Sequence, residues 1–305
     1  MPVGPNLGFS SPDSLLANAR VKADPAVARA VHNASLETGA RFDLLMASAR
    51  IESGFRPDAK AGTSSATGLF QFTEQTWFDA VKKYGAAHGM GEEAAAIVDR
   101  GGRLTVTDPA QRQRILDLRM DAEASASMAG NHLKEVSDKL ASTLRRQPDA
   151  TEIYLGHFLG QGGARQMLTA DPTQTAASIL PAAAGANATL FYNQDGNPLT
   201  VSEFIGRIRG RVTKAYTDIG APMPSGPLAF SKGTGRPDAP DAGASGWGSN
   251  APRRANSVQE RAILANLAQV VTRVDRGIQD AREQPRRANQ LPGPVLMALQ
   301  AGAPT

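Results

Sequence analysis

One carboxylate stands out by the company it keeps. In residues 50–72, "RIESGFRPDAKAGTSSATGLFQF", Glu52 closes an apolar helical run and precedes a Gly/Ser/Thr-rich loop ending in Gly68, Leu69, Phe70 and Gln71. A helix capped by Asp43 and running to Ser53 puts Glu52 on the face of Leu45, Ser48 and Ala49, with Arg50 turned toward Asp43 instead. Apolar surroundings and the negative end of a helix both disfavour the charged form. The expectation is a raised pKa, which suits a general acid. Gly54 and Pro57 take the chain out of the helix. Gly68 allows a ligand to approach the backbone closely, and Gln71 offers a donor and an acceptor to sugar hydroxyls and N-acetyl groups. A lone glutamate near a helix end is ordinarily a solvated charge. The Gly-Pro exit and the Gly-Leu-Phe-Gln run are what favour catalysis here.

The elements that position these residues are helical. Asp24-Pro25 predicts a capped helix to about Thr38, Thr73 opens "EQTWFDAVKKY", and Asp108-Pro109 precedes "AQRQRILDLR". A long helix is predicted over 122–144, then "ATEIYLGHFL" and "GGARQMLTA" as two pieces. In "TVSEFIGRIRGRVTKAY", Thr200 and Glu203 form a capping box. Only "LFQF" and "TLFYN" have the aromatic and branched density of short strands. Trp77 and Phe78 read as core. Residues 1–24 read as a flexible arm, 25–217 as the folded catalytic domain, and 218–256 as a Gly/Pro-rich disordered linker. In 257–305, an amphipathic helix is predicted over about 257–284, with Ile263, Leu267, Val270, Val274 and Ile278 on one face, followed by a tail. That apolar stripe suits a protein partner or self-association.

Composition excludes several classes of function. The 305 residues contain no cysteine, so there is no disulfide framework, thiolate nucleophile or thiolate metal site. His32, His88 and His132 are scattered without metal-ligand spacing, and neither metal nor cofactor is expected. The net charge of +4 is compatible with polyanionic partners. Much of it sits in 253–287, with about eight arginines against four acids, but no aromatic interleaving supports nucleic-acid binding. No run approaches the roughly 18 apolar residues of a membrane helix. The N-terminal "MPVGPNLGFSSPDSLLANAR" has neither a basic region nor an apolar stretch, so no Sec signal peptide is read, and export would take another route or depend on a leader that this sequence lacks.

The opening stretch resembles the signature of soluble lytic transglycosylases: Glu-Ser-x-Phe-x-Pro-x-Ala, a short loop, then Gly-Leu-Met-Gln. Glu52, Ser53, Phe55, Pro57, Ala59, Gly68, Leu69 and Gln71 match it, with Phe70 in the Met position. Gly62 and Ser65 depart from the usual Ser and Gly. A second family block, Ala-Tyr-Asn-Ala-Gly, is matched loosely by "GHFLGQGG", with Gly160 in the last position and His157 and Phe158 replacing Tyr and Asn. It looks like the variant of a bacterial subgroup that combines GLFQF with HFLGxGGA, and coverage is roughly 25–210.

The resemblance implies a mainly α, lysozyme-like (goose-type) domain with at most a minimal β element, acting on peptidoglycan glycan strands in the periplasm or cell envelope. Glu52 would be the single catalytic residue, acid and then base, cleaving the MurNAc-β-1,4-GlcNAc bond to a 1,6-anhydro product. Ser53, Gly68, Leu69, Phe70, Gln71, Tyr154 and His157 would contact substrate. His157 either bonds Glu52 or substrate, or is a structural histidine of an apolar helix; the sequence leaves both open. The alternatives are a hydrolytic lysozyme, which a second acid such as Asp58 or Glu74 facing Glu52 would favour, and a non-catalytic peptidoglycan-binding or assembly protein.

Overall fold

The computed structural model describes residues 23–62 and 64–235. The arm assigned to 1–24 lies almost wholly outside them, and the helix assigned to 257–284 wholly so.

Eleven helices account for most of the described chain. They are α1 (Pro25–Thr38), α2 (Phe42–Ser53), α3 (Glu74–Tyr84), α4 (Gly91–Ala96), α5 (Pro109–Asp117), α6 (Ala122–Leu144), α7 (Ala150–Thr169), α8 (Ala176–Ile179), α9 (Pro181–Ala186), α10 (Ala188–Phe191) and α11 (Val201–Asp218). Between α4 and α5, β1 (Val98–Arg100) and β2 (Arg103–Thr105) pair antiparallel, Asp99 opposite Leu104. Gly101 and Gly102, both at positive φ, make their two-residue turn. The architecture is the mainly α, lysozyme-like one with a minimal β element that the sequence implied.

Local chemistry explains the helix starts. Asp24, Thr73, Asp108 and Asp121 each accept a backbone N–H of the first turn, and Thr200 with Glu203 closes a reciprocal capping box, as does Asp149 with Glu152. Asp43 does not cap α2, contrary to expectation. Arg41 occupies that position, and Asp43, one residue inside, holds the Arg41 guanidinium at 2.6 Å. The two helices expected after residue 150 are one, kinked where Gly160 adopts φ 70° and ψ 164°. The runs expected as strands are not strands: 69–72 is a turn closed by a Thr67–Phe72 bridge, and 189–191 lies in α10, leaving only Tyr192 to bridge Pro198.

Packing places two helices against the Glu52 segment. α1 packs on α6, α6 on α7, and α11 against both α2 and α7. The α6–α7 approach is close enough that a Cβ at Gly156 would sit 2.4 Å from Val136 Cγ1. Gly156 thus lets α7 settle onto α6 beside its own Tyr154 and His157. Leu45, Trp77, Phe78, Ile153, Leu155, Phe204 and Tyr216 fill the core. Trp77 Nε1 donates to the Ile115 carbonyl at 2.7 Å, so this indole serves the fold, as expected.

Residues 219–235 correct the expected linker boundary. Ile219 and Leu228 are buried, the Leu228 amide donates to Pro148, and Ser231, Thr234 and Gly235 donate to the carbonyls of Gly39, Leu36 and Glu37 at the end of α1. Composition obscured this, because backbone hydrogen bonds and two apolar anchors dock the segment rather than an apolar run. Leu228→Ala is expected to cost about 2–4 kcal/mol in urea unfolding. A change within about 0.5 kcal/mol, typical of a surface site, would contradict the docking.

Candidate active site

α2 ends where the sequence says it must. Gly54 is left-handed at φ 61°, its N–H returning to the Arg50 carbonyl and that of Phe55 to Ala49, with the Phe55 ring buried beneath. Those bonds satisfy the helix's last carbonyls and fix Glu52 two residues before the exit. Leu45, Ser48 and Ala49 are all buried, so Glu52 projects from the face the helical phase predicted. Its side chain keeps only 18% exposure.

Two side chains of α7 meet it. The Tyr154 hydroxyl donates to Glu52 Oε1 at 2.9 Å, and His157 Nε2 stands 3.6 Å from the same oxygen. The second distance is longer than a hydrogen bond and short enough for charge interaction. Both partners converge on Oε1, which leaves Oε2 for a reacting atom. His157 Nδ1 is buried with no hydrogen-bond partner. Placing a proton there would bury an unsatisfied N–H, so the favoured tautomer carries it on Nε2, facing Glu52.

The electrostatics reverse the sequence expectation. Burial pushes the Glu52 pKa up and is the largest single influence. The close charge interaction with His157, the Tyr154 hydroxyl and the field of Arg211 together outweigh it, and the pKa is lowered. Periodicity revealed the apolar face, but it could not reveal the tyrosine and histidine of a helix about 100 residues later in the chain, or the arginine charge about 160 residues later. Burial of its own ring first, then the same carboxylate, raises the Tyr154 hydroxyl well above its usual value, so it stays a donor.

The loop that follows is built more tightly than its composition suggested. Ser53 Oγ donates to Leu69 at 2.8 Å and accepts from the Arg56 amide. Leu69 and Phe70 are 0% and 1% exposed. Ser53, Leu69 and Phe70, expected to touch substrate, are therefore structural: the aliphatic and aromatic side chains anchor the loop in the core, and the serine ties it to α2. Phe72 is buried as well. Gly68 abuts the Arg119 carbonyl, where a Cβ would come within 1.9 Å, so its contact is to protein. Gln71 sits at φ 49°, and its amide nitrogen donates to Ala59 and Gly68 within the loop, which leaves its side-chain oxygen as the group it can offer outward. Asp58 is exposed, and Glu74 is paired with Arg112.

Sequence reasoning missed two residues. Arg119, in the short 3-10 turn after α5, donates to the carbonyls of Leu116, Ser65 and Phe72 and staples the loop. An isolated arginine carries no pattern that would reveal this. His132 of α6 lies edge-on to His157 at 5.4 Å between ring centroids and to Phe72 at 6.2 Å, supporting His157 from behind. Among the described residues no group of His, Asp and Glu could hold a metal ion.

His132 also makes a pH prediction. Burial first, then neighbouring His157, pushes its pKa from 6.5 down to about 3. Between those values the unfolded chain takes up a proton that the folded one refuses. Stability is therefore fully present above pH 6.5 and falls by up to about 1.4 kcal/mol per pH unit as pH drops toward 3. His132→Phe, which keeps both ring contacts, is expected to flatten that decline between about pH 7 and about pH 5 in urea unfolding. An unchanged slope would contradict it.

Residues 29–96 match the family model described as the transglycosylase SLT domain. The matched segment spans α1 to α4 and includes Glu52, the loop and Gln71, while Tyr154 and His157 join the site through the packing of α7. The segment that carries the buried glutamate thus matches the transglycosylase SLT domain, which supports the resemblance to soluble lytic transglycosylases.

Proposed function

We propose that this protein is a peptidoglycan lytic transglycosylase that cuts the β-1,4 bond between N-acetylmuramic acid and N-acetylglucosamine and leaves a 1,6-anhydromuramoyl end. The observation that supports it most is the asymmetry of Glu52: Oε1 held by α7, Oε2 open. As acid, Glu52 gives its proton to the glycosidic oxygen while the C1–O bond breaks and oxocarbenium-like charge develops. As base, the same carboxylate takes the proton of the muramoyl C6 hydroxyl, whose oxygen closes onto C1. No water is consumed. Assistance from the substrate's own N-acetyl group is a recognised exception to the two-carboxylate rule. Asp58 and Glu74, the acids nearest in sequence, are exposed and ion-paired respectively, and neither contacts Glu52.

The lowered pKa fits this cycle. Free Glu52 rests as a carboxylate; a saccharide lying over its exposed part removes the remaining water and drives it toward the protonated form. Once the proton is given up, Tyr154 and the Nε2–H of His157 stabilise the returning charge. Such donors make a stronger acid, and the close apo contact to His157 has room to tighten with substrate bound. Gln71 is assigned to a saccharide hydroxyl or amide N–H through its free oxygen. A peptidoglycan substrate puts the site of action in the cell envelope, and among the described residues no helix is long and apolar enough to cross a membrane. Residues 25–235 form the catalytic domain in this reading.

The test is digestion of purified murein followed by mass spectrometry. Anhydromuropeptides are expected from the native chain, and Glu52→Gln should reduce them by about 10²–10⁴-fold. Products with free reducing ends would instead identify a hydrolytic lysozyme, and no product at all a binding protein.

A further inference from the structure

Beside Glu52, α11 carries a charged stripe. Arg207, Arg211, Lys214 and Asp218 follow one another at four, three and four residues, which puts them on one face. Arg207 is engaged with the carbonyls of Thr189 and Tyr192, at 2.9 and 2.7 Å. Asp218 pairs with both Lys214 and Arg50, each at 2.9 Å, and so joins α11 to α2. Arg211 lies between them, exposed, with no hydrogen bond or ion pair among the described residues.

Arg50, Ile51, Arg211, Lys214, Ala215 and Asp218 line a groove of about 160 Å³. Ile51 immediately precedes Glu52, and the field of Arg211 reaches both Glu52 and Tyr154, so the groove lies at the same end of α2 as the acid. Its volume is below the roughly 300 Å³ at which small-molecule pockets begin, so it is too small for a disaccharide and large enough for a carboxylate with its neighbouring atoms. Three cations face one carboxylate there, although the whole chain is nearly balanced at 33 basic against 29 acidic residues. The planar guanidinium of Arg211 is suited to holding a carboxylate through two parallel N–H donors.

We propose that this groove receives a carboxylate of the acidic peptide carried by the muramoyl unit that reacts at Glu52. The proposal rests on the peptidoglycan reading and adds to it a determinant of specificity. In that polymer the peptide hangs from the lactyl ether of the muramoyl ring, and the N-acetylglucosamine ring carries none. A cationic groove next to the acid therefore distinguishes the two sugars and selects which of the two alternating glycosidic bonds is presented to Glu52.

The experiment compares soluble strands bearing native peptides with the same strands after their peptide carboxylates have been converted to amides. The native protein is expected to lose about tenfold in kcat/KM on amidation, the size expected for two partly exposed charge pairs. The double variant Arg211→Gln, Lys214→Gln is expected to act on both strands alike. Any effect of Arg211 on Glu52 itself falls equally on the two substrates and cancels in their ratio. Equal rates of the native protein on both strands would overturn the proposal, as would a double variant that keeps the full preference. Binding of the same two strands to Glu52→Gln protein, with and without the two α11 changes, gives the comparison without turnover. Failure of the reaction is thereby told apart from failure of the groove: a preference for native strands that the α11 changes abolish supports the groove, and its absence refutes it.

Discussion

A carboxylate removed from water must be held by something, and the way Glu52 is held organises the rest of this domain. An isolated buried charge costs several kcal/mol, so a largely buried glutamate without partners would simply take up a proton. Here one oxygen is satisfied from a single direction, by Tyr154 and His157 on neighbouring turns of α7. The arrangement keeps the charge at rest and leaves the second oxygen unengaged. Discriminating between the two oxygens of one side chain requires positioning to a few tenths of an ångström, and the surrounding packing supplies it.

Three supports converge on that positioning. Below the site, Gly156 lets α7 lie against α6, and His132 fills the space behind His157 as a neutral, edge-on ring between it and Phe72. On the α2 side, the bonds closing the helix at Gly54 and the Arg50–Asp218 pair fix the end from which Glu52 projects. On the loop side, Ser53 and Arg119 hold the turn that presents Gln71, while Leu69 and Phe70 anchor it in the core. The residues of the glutamate-loop segment thus divide into those that face the site, Glu52 and Gln71, and those that build its walls.

How much of this could be read from sequence depended on how local each determinant is. The caps at Asp24, Thr73, Asp108 and Thr200 are written within three or four residues, and they appeared where expected. So did the apolar face of α2 and the core role of Trp77. The Asp43 cap failed because a residue inside a first turn has the same composition cue as one just before it. The linker assignment at 218 failed because docking there runs through backbone bonds to α1, invisible to composition. At the site, spacing singled out Glu52 and placed it against apolar neighbours, and from burial alone a raised pKa followed. The opposing influences come from Tyr154, His157 and Arg211, whose proximity is a property of the tertiary fold. The arginine staple of the loop and the His132 support were unreadable for the same reason.

The chemistry of this site depends on Glu52 being a hydrogen-bonded carboxylate in the free protein. Carbon-13 NMR titration of the glutamate side-chain carbonyls, with Glu52 assigned by its loss in Glu52→Gln, measures this directly. The predicted result is an apparent pKa below the ordinary value of 4.5, moving upward when Tyr154→Phe removes one donor. A Glu52 that titrates above the ordinary glutamate value in the native protein, or that ignores the loss of the tyrosine hydroxyl, would contradict it.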